Sequence, residues 1–458
     1  MTAAEKQQHF YQTLIKIAVP IFFSQLLTSV LGIIDTFMVT ELGDNALSAV
    51  GIGSQFMFLL SIIQFGLFSG LGVFIAQYYG SKDYDNISKV FMVMVICGLG
   101  ISVIFLSLTQ FMPRQLILLF NMNETPNQEV IDLGVSYLRI VGFSYIAMTF
   151  SFSINMLARN VQKVLIPSIL QGIGVAINTV LNYLLIGGRL GFPMMGVRGA
   201  AIATLISTAV VAIMMVTYLV FTKEPALKIH IKKIFELSRE TLKKWFNTAI
   251  PVLINETFWG LGMTVYLIAY GFIGEKAVAS IYLSNQINSL FWVATISIAN
   301  ASAVMIGNKL GSNDLETAKE WELRFRKLGA LFGVVLGSIL FILAPAIIPL
   351  FGALSSEVKD TVATILRIYA VLAPIKFLNA IFIVGSLRAG GDTKFALFAE
   401  VVSLWGVGVP LAFILSYFTE LPIYYIIIFV NLEEVCKFIL TYRRSASGKW
   451  LNNLVIEE

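Results

Sequence analysis

The sequence predicts an all-α integral membrane protein of about twelve transmembrane helices, in two parallel six-helix lobes around a central cavity. Three observations carry the prediction. Only 13% of the 458 residues are charged and 57% are hydrophobic, whereas soluble domains carry roughly 25% charged residues. Apolar runs of the ~20 residues needed to span a bilayer follow one another almost without pause. The two halves of the chain also match at a constant offset of 231 residues.

Inside a bilayer every backbone polar group must be bonded within the protein, so a span is either a helix or a strand of a closed barrel. A barrel would show ~10-residue segments of alternating polarity. These runs are continuous and rich in Leu, Ile, Val, Phe and Gly, so they predict helices. The first begins near Leu14, after a polar lead, and exceeds a signal-peptide core in length, so no cleavage is expected. Spans are expected at about 14–42, 46–78, 87–111, 130–158, 164–187 and 197–221, then 246–273, 277–306, 328–351, 361–387, 395–418 and 421–442. Between the sixth and seventh lies the one long polar connection. It contains Lys223, Lys228, Lys232, Lys233, Arg239, Lys243 and Lys244. The expected organisation is therefore an amino-terminal lobe, residues 1–221, a basic cytoplasmic linker, residues 222–245, and a carboxyl-terminal lobe, residues 246–458.

Sorted by expected loop, 24 of the 32 Lys and Arg fall on the side shared by both termini. Five fall on the other side, and Arg139, Arg367 and Lys376 fall within spans. The positive-inside rule then predicts a multi-pass protein of the cell (plasma or inner) membrane with both termini cytoplasmic. Basic residues beside spans are explained by topology and anionic lipid, so membrane lipids are expected partners and nucleic acid is not.

The offset pairs Pro20 with Pro251, Gly43 with Gly274, Gln55 with Gln286 and Lys163 with Lys394. It also aligns Gly80-Ser81-x-Asp83 with Gly311-Ser312-x-Asp314. Each repeat has an even number of spans, so both enter the membrane in the same direction, and such halves usually enclose a central site. Pro20, Pro251 and Pro410 free backbone carbonyls and permit bends.

Several chemistries are excluded. Cys97 and Cys436 lie at opposite ends of the spanning region, so neither a disulfide framework nor a metal cluster is expected. His9 and His230 fall outside the spans, leaving no axial pair for a haem. No G-x-x-x-x-G-K-[ST] loop is present, and no catalytic cluster either, so the chain reads as a non-enzyme without a cofactor. With no ATP-binding loop, the energy source open to such a membrane protein is an ion gradient, which supplies about 2.3 kcal/mol per charge per 100 mV.

A carboxylate in a span costs ~3 kcal/mol on insertion scales, so it calls for a partner or a task. Asp35 lies about seven residues from the outer end of the first span, roughly 10 Å deep at 1.5 Å per residue. Asn178 and Asn182 share one face of the fifth span at i, i+4, and Thr204 lies at similar depth in the sixth. One carboxylate with amide and hydroxyl oxygens suits a hard cation such as sodium, or takes a proton. Interhelical hydrogen bonding alone, at about 0.6 kcal/mol each, would also retain the three neutral residues.

Glu256 is expected near mid-bilayer in the seventh span, after Asn255. Its repeat partner is Gln25, and the repeat partner of Asp35 is Tyr266, so each half carries an acid where the other is neutral. Glu256 is a candidate for binding a cation or a cationic substrate, or for bonding to neighbouring helices. Arg139 and Arg367, in the contexts YLRI and ILRI, read as side chains that snorkel to an interface. Glu433 and Glu434, with Lys437 at i+3 or i+4, read as an internal pair.

The stretch DTFMVTELGDNALSAVGIG from Asp35, NTVLNYLLI from Asn178, GVRGAAIAT ending at Thr204, GSLRAGGDTK ending at Lys394 and the terminal RRSASGKW together resemble the multidrug and toxic compound extrusion (MATE) transporters. The resemblance runs the length of the chain. It implies a V-shaped cavity between two six-helix lobes, and efflux of amphipathic, often cationic, small molecules driven by entry of sodium or a proton. It further implies that Asp35, Asn178 and Thr204 form the amino-terminal cation site. Asn182 departs from members that carry aspartate there, which leaves sodium or proton open as the coupling ion. Glu256 matches a cation-site acid of the NorM-type branch. No acid of the tenth span accompanies it, and Asn379 is the nearest candidate. With Asn255 and Tyr266 these residues make up the carboxyl-lobe candidate site. The expected function is a monomeric antiporter working by alternating access. The alternative is a flippase for lipid-linked oligosaccharides of the same superfamily, a class that tends to have more spans and a cationic cavity.

Overall fold

Helices joined by short turns make up the computed structural model, which describes residues 3–120, 127–348 and 356–456; no strand occurs among them. In chain order the helices are α1 (Ala3–Thr40), α2 (Asp44–Ser81), α3 (Tyr84–Phe111), α4 (Pro113–Phe120), α5 (Gln128–Val141), α6 (Ser144–Asn160), α7 (Leu165–Gly187) and α8 (Gly196–Phe221). They are followed by α9 (Arg239–Gly271), α10 (Glu275–Gly311), α11 (Leu315–Ile347), α12 (Ser356–Ala380), α13 (Thr393–Ser403), α14 (Val409–Phe418), α15 (Ile423–Val430) and α16 (Leu432–Ala446). The end of the ninth expected span, residues 349–351, lies outside the described residues.

Among the described residues ten helical segments are long and apolar enough to cross a membrane alone, and α5 with α6 forms an eleventh, bent by 50°. The fourth expected span is thus two helices rather than one. No proline causes this bend. The carbonyls freed at the break are taken by side chains, Ser144 Oγ donating to Val141 O at 2.6 Å and Gln110 Nε2 to Arg139 O at 2.9 Å, as a bend inside lipid requires. The twelfth expected span is also divided, into α15 and α16 at Asn431, whose amide donates to Ile427 O at 2.7 Å. The tenth and eleventh are continuous but pass through π-helical turns at Ile381–Leu387 and Leu404–Gly408. The second turn ends two residues before Pro410, so the wider turn sits where that ring cannot donate to the helical ladder.

Packing divides the chain into two compact units. One comprises Met1–Ala18, Ser69–Lys82 and Glu240–Glu458, the other Val19–Phe68 and Asp83–Arg239. In the second, the basic connection is folded onto α3, where Lys233 pairs with Asp85 at 3.1 Å and Ser88 Oγ donates to Lys228 O and accepts from His230 N, and onto the turn before α7, where Lys163 pairs with Glu224. In the first, the repeat-related glycines Gly80 and Gly311 mark a close backbone approach between α2 and α10. A Cβ at Gly311 would lie 1.8 Å from Gln77 O, and one at Gly80 would lie 1.9 Å from Asn308 O. Small residues at such contacts are how membrane helices gain van der Waals packing. Gly311→Val is therefore expected to prevent stable insertion, read as loss of a monodisperse peak in detergent; Gly100→Val, with open space around its Cβ position, serves as the control.

Asp83 and Asp314, the other repeat-paired residues of that motif, cap α3 and α11 by accepting from Asn86 N at 3.0 Å and Thr317 N at 3.2 Å. Partial burial raises the Asp314 carboxyl, but the bonds from Lys309 and Thr317 outweigh it and hold the group below the usual carboxylate value. A depressed carboxyl contributes stability above its unfolded value and loses it as pH falls through the folded one. Asp314→Ala is expected to cost about 1 kcal/mol at neutral pH. The charge-dependent part of that difference should vanish on acidification, read by thermal unfolding of wild type and variant at several pH values.

Candidate cation site and buried charge network

In the second unit, α1, α7 and α8 bring Asp35 together with Asn178, Asn182 and Thr204. The Asn178 amide nitrogen donates to Asp35 Oδ2 at 2.7 Å, and its oxygen accepts from Ser207 Oγ at 3.3 Å. That orientation follows from hydrogen-bond chemistry, since an amide oxygen facing a carboxylate would oppose two acceptors. Thr179 Oγ1 donates to Asp35 Oδ1 at 3.3 Å. Asn182 is buried beside the same carboxylate, its amide 3.2 Å from that of Asn178 and its own oxygen without a partner. Thr204 is one helical turn from Ser207, and its hydroxyl donates back to Ala200 O at 3.0 Å.

No ion pair to Asp35 is present among the described residues; only neutral amides and hydroxyls surround it. Together they supply one charged and several neutral oxygens in a half-buried setting. Such a set can ligate a hard monovalent cation or retain a proton. Three members lay outside the sequence reading: Thr179, Ser207 and Tyr137. The buried Tyr137 ring brings its hydroxyl within reach of Ser54 and Thr204. Thr179 is adjacent to Asn178 and Ser207 lies at i+3 from Thr204, so helical spacing is the signal that would find them. Tyr137, on α5, carries no such signal, because no spacing in the sequence links it to residues of α7 and α8.

The carboxyl-half candidates are distributed along a buried network in the first unit. Glu256 Oε1 and Arg388 Nη2 are 2.5 Å apart, and Arg388 Nη1 donates to Ser69 Oγ at 2.8 Å. Arg388 is only 3% exposed, although its position beside the GGDT turn sorted it with the loop cations. Asn379 donates to Glu434 Oε2 at 2.8 Å and accepts from Thr441 Oγ1. Tyr266 lies against Glu433, and the Asn255 side-chain oxygen is buried without a partner. Lys437 meets Glu400 Oε1 at 2.8 Å and Glu434 Oε1 at 3.9 Å, so its nearer partner is on α13 and not on its own helix. Glu400 lies within the eleventh expected span. The cost of an intramembrane carboxylate, applied there, is the signal that finds it. Arg367 stacks over Phe341 at 5.6 Å. No cluster of three metal-ligating side chains occurs among the described residues.

This fold, with polar residues gathered between helices long and apolar enough to cross a membrane, defines a multi-pass membrane protein. The MatE family profile matches residues 20–184 and 249–414, and the chain belongs to that family of transporters. It is 26% identical to the uncharacterized transporter YisQ of Bacillus subtilis over 457 residues, 98% of this chain and 97% of the other. It is 25% identical to the probable multidrug resistance protein NorM of Thermotoga maritima, covering 99% of this chain and 96% of that one. The fold also matches an outward-facing multidrug resistance MATE family transporter of the MOP superfamily, with TM-score 0.84 at 20% identity and coverage of 95% and 96%. A MOP superfamily transporter from Pyrococcus furiosus matches with TM-score 0.82 at 22% identity. At these identities the structural matches establish the fold alone.

Proposed function

We propose that this protein is a cation-coupled antiporter that exports amphipathic, cationic small molecules across the cell membrane by alternating access. The six-helix repeats 1–221 and 246–458 act as the moving lobes, joined by the basic linker 222–245, with both termini cytoplasmic and the monomer as the working unit. The observation that carries the reading is the setting of Asp35, a carboxylate at membrane depth with neutral donors and no cationic partner among the described residues. Uncompensated charge there is costly, so a sodium ion or a proton entering from outside lowers the energy of the occupied state. Its release inward resets the site for the outward-directed substrate. Multidrug resistance names among the relatives support the substrate class.

The test is uptake of a fluorescent cationic dye into inverted vesicles under a sodium gradient and a proton gradient imposed separately. Uptake driven by one gradient identifies the coupling ion. Uptake driven by neither, in well-inserted protein, would remove the multidrug reading and direct attention to lipid-linked substrates.

A further inference from the structure

An open cavity of about 510 Å³ lies at the start of α9 and α13, lined by Glu240, Lys243, Lys244, Thr248, Thr393 and Lys394 among others. We propose that it is an anion site that takes a phosphate group, borne by a membrane lipid or free in solution. Neither the ion-coupling site nor the buried charge network involves it.

The start of α13 differs from those of α3 and α11. A helix start leaves its first amides without partners and carries partial positive charge. At α3 and α11 the preceding aspartates, Asp83 and Asp314, accept from those amides. Asp392 occupies the same position before α13, yet its side chain does not cap the helix. Arg444 holds it instead, with Nε 2.5 Å from Oδ2 and Nη2 3.0 Å from Oδ1. That bidentate pair both neutralises the carboxylate and withdraws it from the helix start.

Two independent features complete the site. Thr393, the first residue of α13 and part of the cavity wall, is 1% exposed, and its hydroxyl has no hydrogen-bond partner. A buried donor without a partner is unfavourable, and an anion oxygen would satisfy it. Lys243, Lys244 and Lys394 are exposed on the wall. With Asp392 neutralised by Arg444, Glu240 is the remaining carboxylate of the cavity lining among the described residues. The repeat partner of Lys394 shows the contrast, since Lys163 is already paired with Glu224. Free helix amides, an unsatisfied hydroxyl and excess lysine charge are the elements that bind phosphate.

Native mass spectrometry of the full-length protein in detergent would test this, using phosphatidylglycerol, diacylglycerol with the same chains, and inorganic phosphate as probes. Phosphatidylglycerol is expected to bind and diacylglycerol is not. The Lys243→Gln/Lys244→Gln/Lys394→Gln variant and Thr393→Val are each expected to weaken phosphatidylglycerol about tenfold, the loss of one charge-assisted contact or more. Displacement of the lipid by inorganic phosphate supports the site with a free anion as its ligand. Retention of the lipid supports it with the headgroup as ligand. Wild-type affinity in both variants overturns the proposal. Loss in the lysine variant alone also overturns it, because diffuse surface charge then accounts for the binding.

Discussion

Asp35→Asn is expected to abolish gradient-driven dye transport, while the protein still inserts and its unfolding free energy stays within about 1 kcal/mol of wild type. The asparagine keeps the side-chain volume and can still bond with Thr179 and Asn178, so packing of α1 against α7 is retained. It carries no charge and cannot exchange a proton near neutral pH, so it is expected to hold neither sodium nor a proton as the carboxylate would. A residual rate of even a tenth of wild type corresponds to only about 1.4 kcal/mol, too little for the loss of an obligatory ligand. Transport is measured in inverted vesicles with matched protein amounts. Full activity in the variant would end the role assigned to Asp35, whichever ion drives the wild type.

Breaking the Glu256–Arg388 pair is expected to give the second large effect, on stability before function. Arg388 is buried and Glu256 nearly so, and each is the charged partner of the other at 2.5 Å. Removing one partner of a buried pair strands a charge and costs about 3–5 kcal/mol. Arg388→Met alone is therefore expected to lower the unfolding temperature steeply or prevent recovery of folded protein. Glu256→Gln/Arg388→Met, which removes both charges, is expected to recover most of that loss, since a well-packed neutral replacement is often no worse than the ion pair. Transport by the double variant then reads the functional part separately: lost or altered substrate range would place Glu256 in the transport cycle, and unchanged transport of several substrates would confine the pair to structure. Equal instability in single and double variants would show that packing of the arginine stem matters more than its charge.

The amino-half site was legible because insertion energetics isolate it. A lone aspartate in an apolar run is conspicuous, and Asn178 and Asn182 declare a common face through i, i+4 spacing. The carboxyl half was less legible for a reason seen in Arg388 and Lys437. Arg388, just past a span end, sorts by hydropathy with the loop cations but turns inward to Glu256, and Lys437, whose spacing suggests partners on its own helix, has its nearer partner Glu400 on α13. Glu400 satisfied the same cost argument as Asp35, yet its significance lies in its partner Lys437, 37 residues away. The bend between α5 and α6 left no proline in the sequence, because side chains of Ser144 and Gln110 make it tolerable.

Composition and hydrophobic run length, by themselves, determined the membrane setting and the helical class. These follow from the cost of unsatisfied backbone in lipid, which acts on every residue alike and does not depend on which helices become neighbours. Only the tertiary structure decided which charges are neutralised, which spans break, and which aspartates cap a helix and which, like Asp392, are drawn away from it. Those outcomes depend on distances of 2.5–4 Å between residues far apart in the chain, where desolvation makes a partner's presence or absence worth several kcal/mol.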